Sequence, residues 1–65
     1  MDRSVLRAVV KAYEADTAAH KENEFNYEVD GIKYYLRLVA KDKHHSTYLI
    51  VNQYGEKANY FLTRF

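Results

Sequence analysis

At Asn23 the spacing of apolar residues changes from a helical period to an extended one, and this change restricts the fold more than any other feature of the chain. Before it, Leu6, Val9, Val10, Tyr13 and Thr17 recur at i, i+3, i+4, i+7 and i+11, which is one face of a helix. Val5, Ala8 and Ala12 widen that face, and Arg7, Lys11, Glu14 and Lys21 fill the remainder. The pattern predicts a helix over residues 3–22, capped at its start by Asp2 or Ser4 and at its end by Asn23. His20 and Lys21 in the last turn suit the negative end of the helix dipole.

Beyond Asn23 the period is two. Phe25, Tyr27 and Val29 fall on one face of a strand over 24–29, and Asp30-Gly31 follows. Asp and Gly tolerate the positive φ values of a type I′ turn, so this pair is the strongest hairpin signal in the chain. A two-residue loop sets Val29 opposite Ile32, Tyr27 opposite Tyr34 and Phe25 opposite Leu36. On the other face it sets Glu28 opposite Lys33 and Glu24 opposite Arg37, so charge and hydropathy agree on one register. A second strand is expected to run to Lys41, followed by a polar connection through Ser46 and a third strand over 47–52. Asn52-Gln53-Tyr54-Gly55 reads as a type I turn with Gly55 left-handed, and a fourth strand over 57–65 ends the chain. The inner face of the last two strands stays open, because Tyr48 and Ile50 compete with Leu49 and Val51, and Phe61 competes with Tyr60 and Leu62.

The expected fold is therefore α+β, with one helix packed on a four-stranded antiparallel sheet. Its expected core is Leu6, Val9, Val10, Tyr13, Phe25, Tyr27, Ile32, Tyr34, Leu36 and Leu38. A chain of 65 residues without a proline or a linker allows one domain, 1–65, with a small core. It has no cysteine to staple that core, and at 48% hydrophobic residues it is too apolar to be disordered. No apolar run reaches the ~18 residues that span a bilayer, and the charged N-terminus does not read as a signal peptide. The expectation is a cytoplasmic protein with no membrane partner.

The residues that could carry chemistry point away from catalysis. His44 and His45 with Asp42, and His20 further away, offer no convergent zinc set, since neighbouring loop histidines rarely converge. Ser46 beside His45 is adjacent in sequence, which is not triad geometry. Gly31 and Gly55 are the only glycines, and turns explain both, so no phosphate loop exists. The acids Asp30, Asp42 and Glu56 all fall in turns, where carboxylates are usually solvated. No catalytic residue, metal or cofactor is expected.

Two surfaces remain as binding candidates. The two hairpin tips lie at one end of an up-and-down sheet, and Tyr54 is an aromatic on a tight turn. The outward face of the second strand reads Lys33, Tyr35, Arg37, Val39 and Lys41, a mixture able to stack and neutralise single-stranded nucleic acid. The net charge of +1 argues against the second.

Several short segments resemble the cystatins, inhibitors of papain-like cysteine proteases, and the plant members most of all. Val9-Val10-Lys11-Ala12-Tyr13 is similar to the family's Ala-Val-x-x-Tyr/His helix segment. Tyr27-Glu28-Val29-Asp30-Gly31 stands where the family has its Gln-x-Val-x-Gly loop, and Lys33-Tyr34-Tyr35-Leu36 resembles the Tyr-Tyr-Leu/Ile strand after it. Phe61-Leu62-Thr63-Arg64-Phe65 is similar to the closing Leu-x-x-Phe. The resemblance covers residues 8–65 and implies a helix wrapped by an antiparallel sheet, with an inhibitory contact at Tyr27, Val29 and Gly31 and at Gln53, Tyr54 and Gly55. The chain departs from the family in Tyr27 for Gln, in a second loop without Pro-Trp, and in lacking the glycine-bearing N-terminal segment. The expected function is a non-enzymatic protein-binding module, in its most concrete form a cystatin-like inhibitor. The alternative is a nucleic-acid-binding protein using Lys33, Tyr35, Arg37 and Lys41. Self-association through the apolar outer face of the last hairpin, giving a homodimer, is the third expectation.

Overall fold

Asp16 divides the expected N-terminal helix into α1 (Arg3–Ala15) and α2 (Thr17–Glu22). Its backbone is extended, at φ −99° and ψ 103°, and its amide donates to the Tyr13 carbonyl to close α1. Its carboxylate then accepts from the Ala18 and Ala19 amides to open α2. A short acid that bonds to nearby main chain competes with the helix ladder, and here it wins. Thr17 is consequently exposed and lies on no apolar face, a correction to the single-helix reading. The outer caps follow expectation: the Asp2 carboxylate accepts from the Ser4 amide, and Asn23 closes α2 in the left-handed region at φ 58°.

The computed structural model describes residues 1–63; Arg64 and Phe65, and with them the end of the expected fourth strand and of the closing motif, lie outside the described residues. After the helices come β1 (Glu24–Val29), β2 (Ile32–Lys41), β3 (His45–Asn52) and β4 (Lys57–Thr63). They form one antiparallel sheet in the order β1-β2-β3-β4, so each strand pairs with its neighbour in sequence. The β1–β2 register is the one the charges and apolar residues predict, from Glu24 opposite Arg37 to Val29 opposite Ile32.

The open question of the last two strands is settled with Tyr48 and Ile50 inside. They join Leu6, Val9, Val10 and Tyr13 of α1 and Tyr34 and Leu36 of β2 in one core. Removing a Leu or Ile side chain of this kind from water stabilises a fold by roughly 1.5–3 kcal/mol. The Tyr13 ring meets the Tyr48 ring edge-on at 5.6 Å and the Phe25 ring at 6.1 Å. Phe25, Ile32 and Leu38 pack at the margin of the core and are half-buried. Tyr27 does not belong to the core: it is 39% exposed and stacks on Phe25, beyond the reach of the helix. Leu49, Val51 and Phe61 take the other face, and Phe61 is exposed.

A β-bulge between Leu38 and Ala40 corrects a second expectation. Leu38 opposes Tyr48 and Ala40 opposes Thr47, which leaves Val39 as the extra residue. Alternation resumes one step out of phase, so Lys41 opposes the buried Ser46 on the helix side of the sheet. Lys33, Tyr35 and Arg37 share the outer face, and Lys41 does not share it with them.

Candidate binding surface

The end of the sheet that carries the two hairpin tips is built from two different turns. In the first, Asp30 and Gly31 adopt φ 51° and φ 77°, the two positive values that a type I′ turn demands. In the second, Asn52 organises the chain. Its buried side chain accepts from the Tyr54 and Glu56 amides, both at 3.0 Å, and donates to the Glu56 carboxylate at 2.6 Å. Its main chain closes the same turn, with the Gly55 amide donating to the Asn52 carbonyl at 3.1 Å and the Asn52 amide to the Glu56 carbonyl at 3.0 Å. Gly55 is left-handed at φ 83°, as the turn reading expects. Asn52 stands outside the six residues expected at this surface, because its sequence setting marks it only as the first residue of a turn. Asn three residues before Gly at the end of an apolar strand is the signal that points to it.

The two tips are joined by Gln53. Its amide donates to the Lys33 carbonyl at 3.0 Å, and its side-chain carbonyl accepts from the Lys33 amide at 2.9 Å. These bonds extend the β2–β3 ladder past Asn52 and fix the second tip beside the start of β2. Tyr54, 67% exposed, then stands out from a turn held on both sides. Of the six residues expected at this surface, Gly31, Gln53, Tyr54 and Gly55 lie at the tips. Val29 is half-buried at the foot of the first turn, and Tyr27 sits further down β1 on the helix side. Two shallow depressions open to solvent beside the tips and share Asn26, Lys33 and Tyr34 in their walls.

The outer face of β2 is engaged by its own neighbours. The Tyr35 hydroxyl donates to the Glu24 carboxylate, and that bond, which favours the protonated phenol, pushes the Tyr35 pKa up. Glu28 stands opposite Lys33 and Glu24 opposite Arg37, so each cation on this face has an acid across from it.

The polar β2–β3 connection is a capped turn. Asp42 accepts from the His44 amide at 2.9 Å and the His45 amide at 2.7 Å, and its carboxylate lies 3.2 Å from His45 Nδ1. The two amides, with the His45 ring, hold the Asp42 carboxyl below its ordinary value. His20 is engaged elsewhere: its Nε2 bonds to the Tyr13 carbonyl at 3.1 Å and its ring lies on Tyr13. Among the described residues no three His, Asp or Glu side chains converge on a metal position. No described helix is long and apolar enough to cross a membrane. No family model, curated protein or solved structure matches the chain.

Proposed function

We propose that the chain is a non-enzymatic, cytoplasmic protein-binding module that engages its partner with the hairpin-tip end of the sheet. The observation that carries this reading is the pair of hydrogen bonds between Gln53 and Lys33, which holds both tips as one edge with Tyr54 projecting from it. An aromatic side chain on a turn that is already ordered loses little conformational freedom on binding, which is what a contact anchor needs. The most concrete form of the proposal is inhibition of a papain-like protease, in which Val29-Asp30-Gly31 and Gln53-Tyr54-Gly55 enter the cleft as two adjacent loops. The I′ turn and the position of the second tip beside it support that form. The missing Pro-Trp of the second loop means that Tyr54 has to supply the aromatic contact.

Titration of papain with the purified domain tests this directly. The expected result is stoichiometric inhibition that weakens about tenfold or more in Tyr54→Ala, the usual loss for an aromatic anchor, with the variant's circular dichroism unchanged. Papain that keeps full activity at a large excess of the domain removes the inhibitor form. Equal inhibition by wild type and Tyr54→Ala removes the tip as its contact. Nothing in the geometry favours the nucleic-acid reading, because Lys41 lies on the opposite face and the Tyr35 hydroxyl is bonded to an acid.

A further inference from the structure

The fold sets both ends of β1, the first edge strand of the sheet. The left-handed Asn23 cap precedes Glu24, and the Asp30-Gly31 turn follows Val29. The Leu38 amide bonds to the Asn23 carbonyl at 2.9 Å, which fixes the phase of the β1–β2 ladder. Antiparallel alternation then directs the main-chain groups of Phe25, Tyr27 and Val29 to β2, and those of Glu24, Asn26 and Glu28 to the free edge. These last three residues are exposed. Each can exchange two main-chain bonds with a further antiparallel strand. The side chains on the two faces specify what that strand is. On the outer face Glu24 and Glu28 stand on either side of Asn26, and β1 carries no cation. Glu24 takes a bond from the Tyr35 phenol, and among the described residues neither acid forms an ion pair. On the helix side Phe25 and Tyr27 stack at 5.6 Å, and Tyr27 remains 39% exposed. Beside Phe25 a hollow of about 270 Å³ opens between α2 and the edge, with Asp16, Ala18, Ala19 and Glu22 in its walls.

We propose that β1 takes up, as a further antiparallel strand of the sheet, an extended segment of a partner protein that reads cation, apolar, polar, apolar, cation. The central polar residue faces Asn26, and the two cations face Glu24 and Glu28. The two apolar residues turn to the helix side, where they continue the Phe25–Tyr27 surface and cover the hollow against α2. Strand addition of this kind draws affinity from main-chain bonds and specificity from alternate side chains. Charge on an edge turns most strands away, and charge of a single sign leaves the edge open to strands of the opposite sign. The same acids exclude a second β1, because pairing with itself about Asn26 sets Glu24 opposite Glu28 at both ends. Gln53 and Tyr54 take no part in the contact, so the inference stands apart from the tip reading.

Titration of the domain with end-blocked peptides, followed by residue-resolved amide exchange, tests the proposal. Lys-Val-Thr-Val-Lys is expected to bind about tenfold or more tighter than Glu-Val-Thr-Val-Glu, and to protect the amides of Glu24, Asn26 and Glu28. Val-Lys-Thr-Lys-Val has the same composition, but its cations stand two residues apart and reach one acid at a time, so it is expected to bind about threefold weaker. Glu24→Gln combined with Glu28→Gln is expected to erase the preference for the basic peptide over the acidic one. Asn26→Pro removes one outward N–H and no bond to β2, and is expected to weaken binding about tenfold. Tyr54→Ala is expected to leave it unchanged. No binding of the basic peptide at millimolar concentration overturns the proposal. So does equal binding of the basic peptide and its rearranged twin, or protection that falls on β4 instead. Protection of the β1 amides that rises with the concentration of the domain alone assigns the edge to a second copy and overturns it too.

Discussion

The first hairpin reverses the chain with two residues and no side-chain help, whereas the second uses four residues gathered around one buried amide. Asp30 and Gly31 need only to adopt positive φ, and the strands on either side meet in register from the turn outward. At the second tip the strand ends early, and Asn52 satisfies the Tyr54, Gly55 and Glu56 amides with its side chain and main chain together. A turn of the first kind depends on backbone preference, which is local. A turn of the second kind depends on a polar group held inside the fold, where an unpaired partner is expensive. The difference also separates their exposure: the first tip is a tight reversal, and the second presents Tyr54 to solvent.

Breaking the second turn should have the largest effect. Asn52→Ala removes three side-chain hydrogen bonds at a buried position and is expected to cost about 2–3 kcal/mol, which in a domain of this size lowers Tm by roughly 10–20 °C. Thermal unfolding followed by circular dichroism measures it, and a shift of only a degree or two would show that the second turn is as self-sufficient as the first. Next come Gly31→Ala and Gly55→Ala. A Cβ at either position meets no atom within 4 Å, so only the left-handed backbone is strained, at a cost of about 1–2 kcal/mol. Urea midpoints for the two variants should agree closely and recover in part with Asn. A much larger loss at Gly55 would mean that the Asn52 network depends on its neighbour's conformation.

The smallest effect belongs to the connection between the hairpins. Asp42 is held below its ordinary value by the His44 and His45 amides, so it favours the folded state when ionised. That contribution is complete above about pH 3.9, its unfolded value, and is lost as pH falls through the lower folded value. Asp42→Asn is expected to flatten the acid limb of a stability–pH curve and leave the neutral region almost unmoved. An acid limb identical to wild type would assign the acid sensitivity to other carboxylates.

The first hairpin was legible in the sequence in full, because a two-residue loop leaves no freedom of register and both faces of the strands agreed. The helix ends at Asp2 and Asn23 were legible for a similar reason, since both are local bonds of short polar side chains. Asp16 was not: the apolar period runs past it to Thr17, and only the competition of its carboxylate for the Ala18 and Ala19 amides shows that the helix stops. Tyr27 followed the alternation of β1 correctly but lies past the ground that a helix ending at Ala15 covers. The inner face of the last hairpin could not be read, because apolar residues occupy both faces and tertiary contact with Tyr13 decides between them. Lys41 was misplaced because a bulge at Val39 leaves no mark in an otherwise regular strand. At the tips, the positions of Gly31, Tyr54 and Gly55 were legible from turn chemistry. The Gln53–Lys33 bond that unites them joins residues from two hairpins and has no local sign.

The neighbour-by-neighbour strand order also bears on how the chain reaches this structure. Each sheet pairing closes across a short stretch, 30–31, 42–44 or 53–56, so the sheet can zip from one hairpin to the next with little loop-closure entropy at any step. The helix is different. Its apolar stripe of Leu6, Val9, Val10 and Tyr13 meets Phe25, Tyr34 and Leu36 first and is fully covered only when β3 adds Tyr48 and Ile50, far along the chain. During synthesis the helix is therefore made before the strands that complete its cover, and it stays partly exposed until Asn52 has passed. Because the helix precedes the sheet, the β3–β4 hairpin is the step that completes the core.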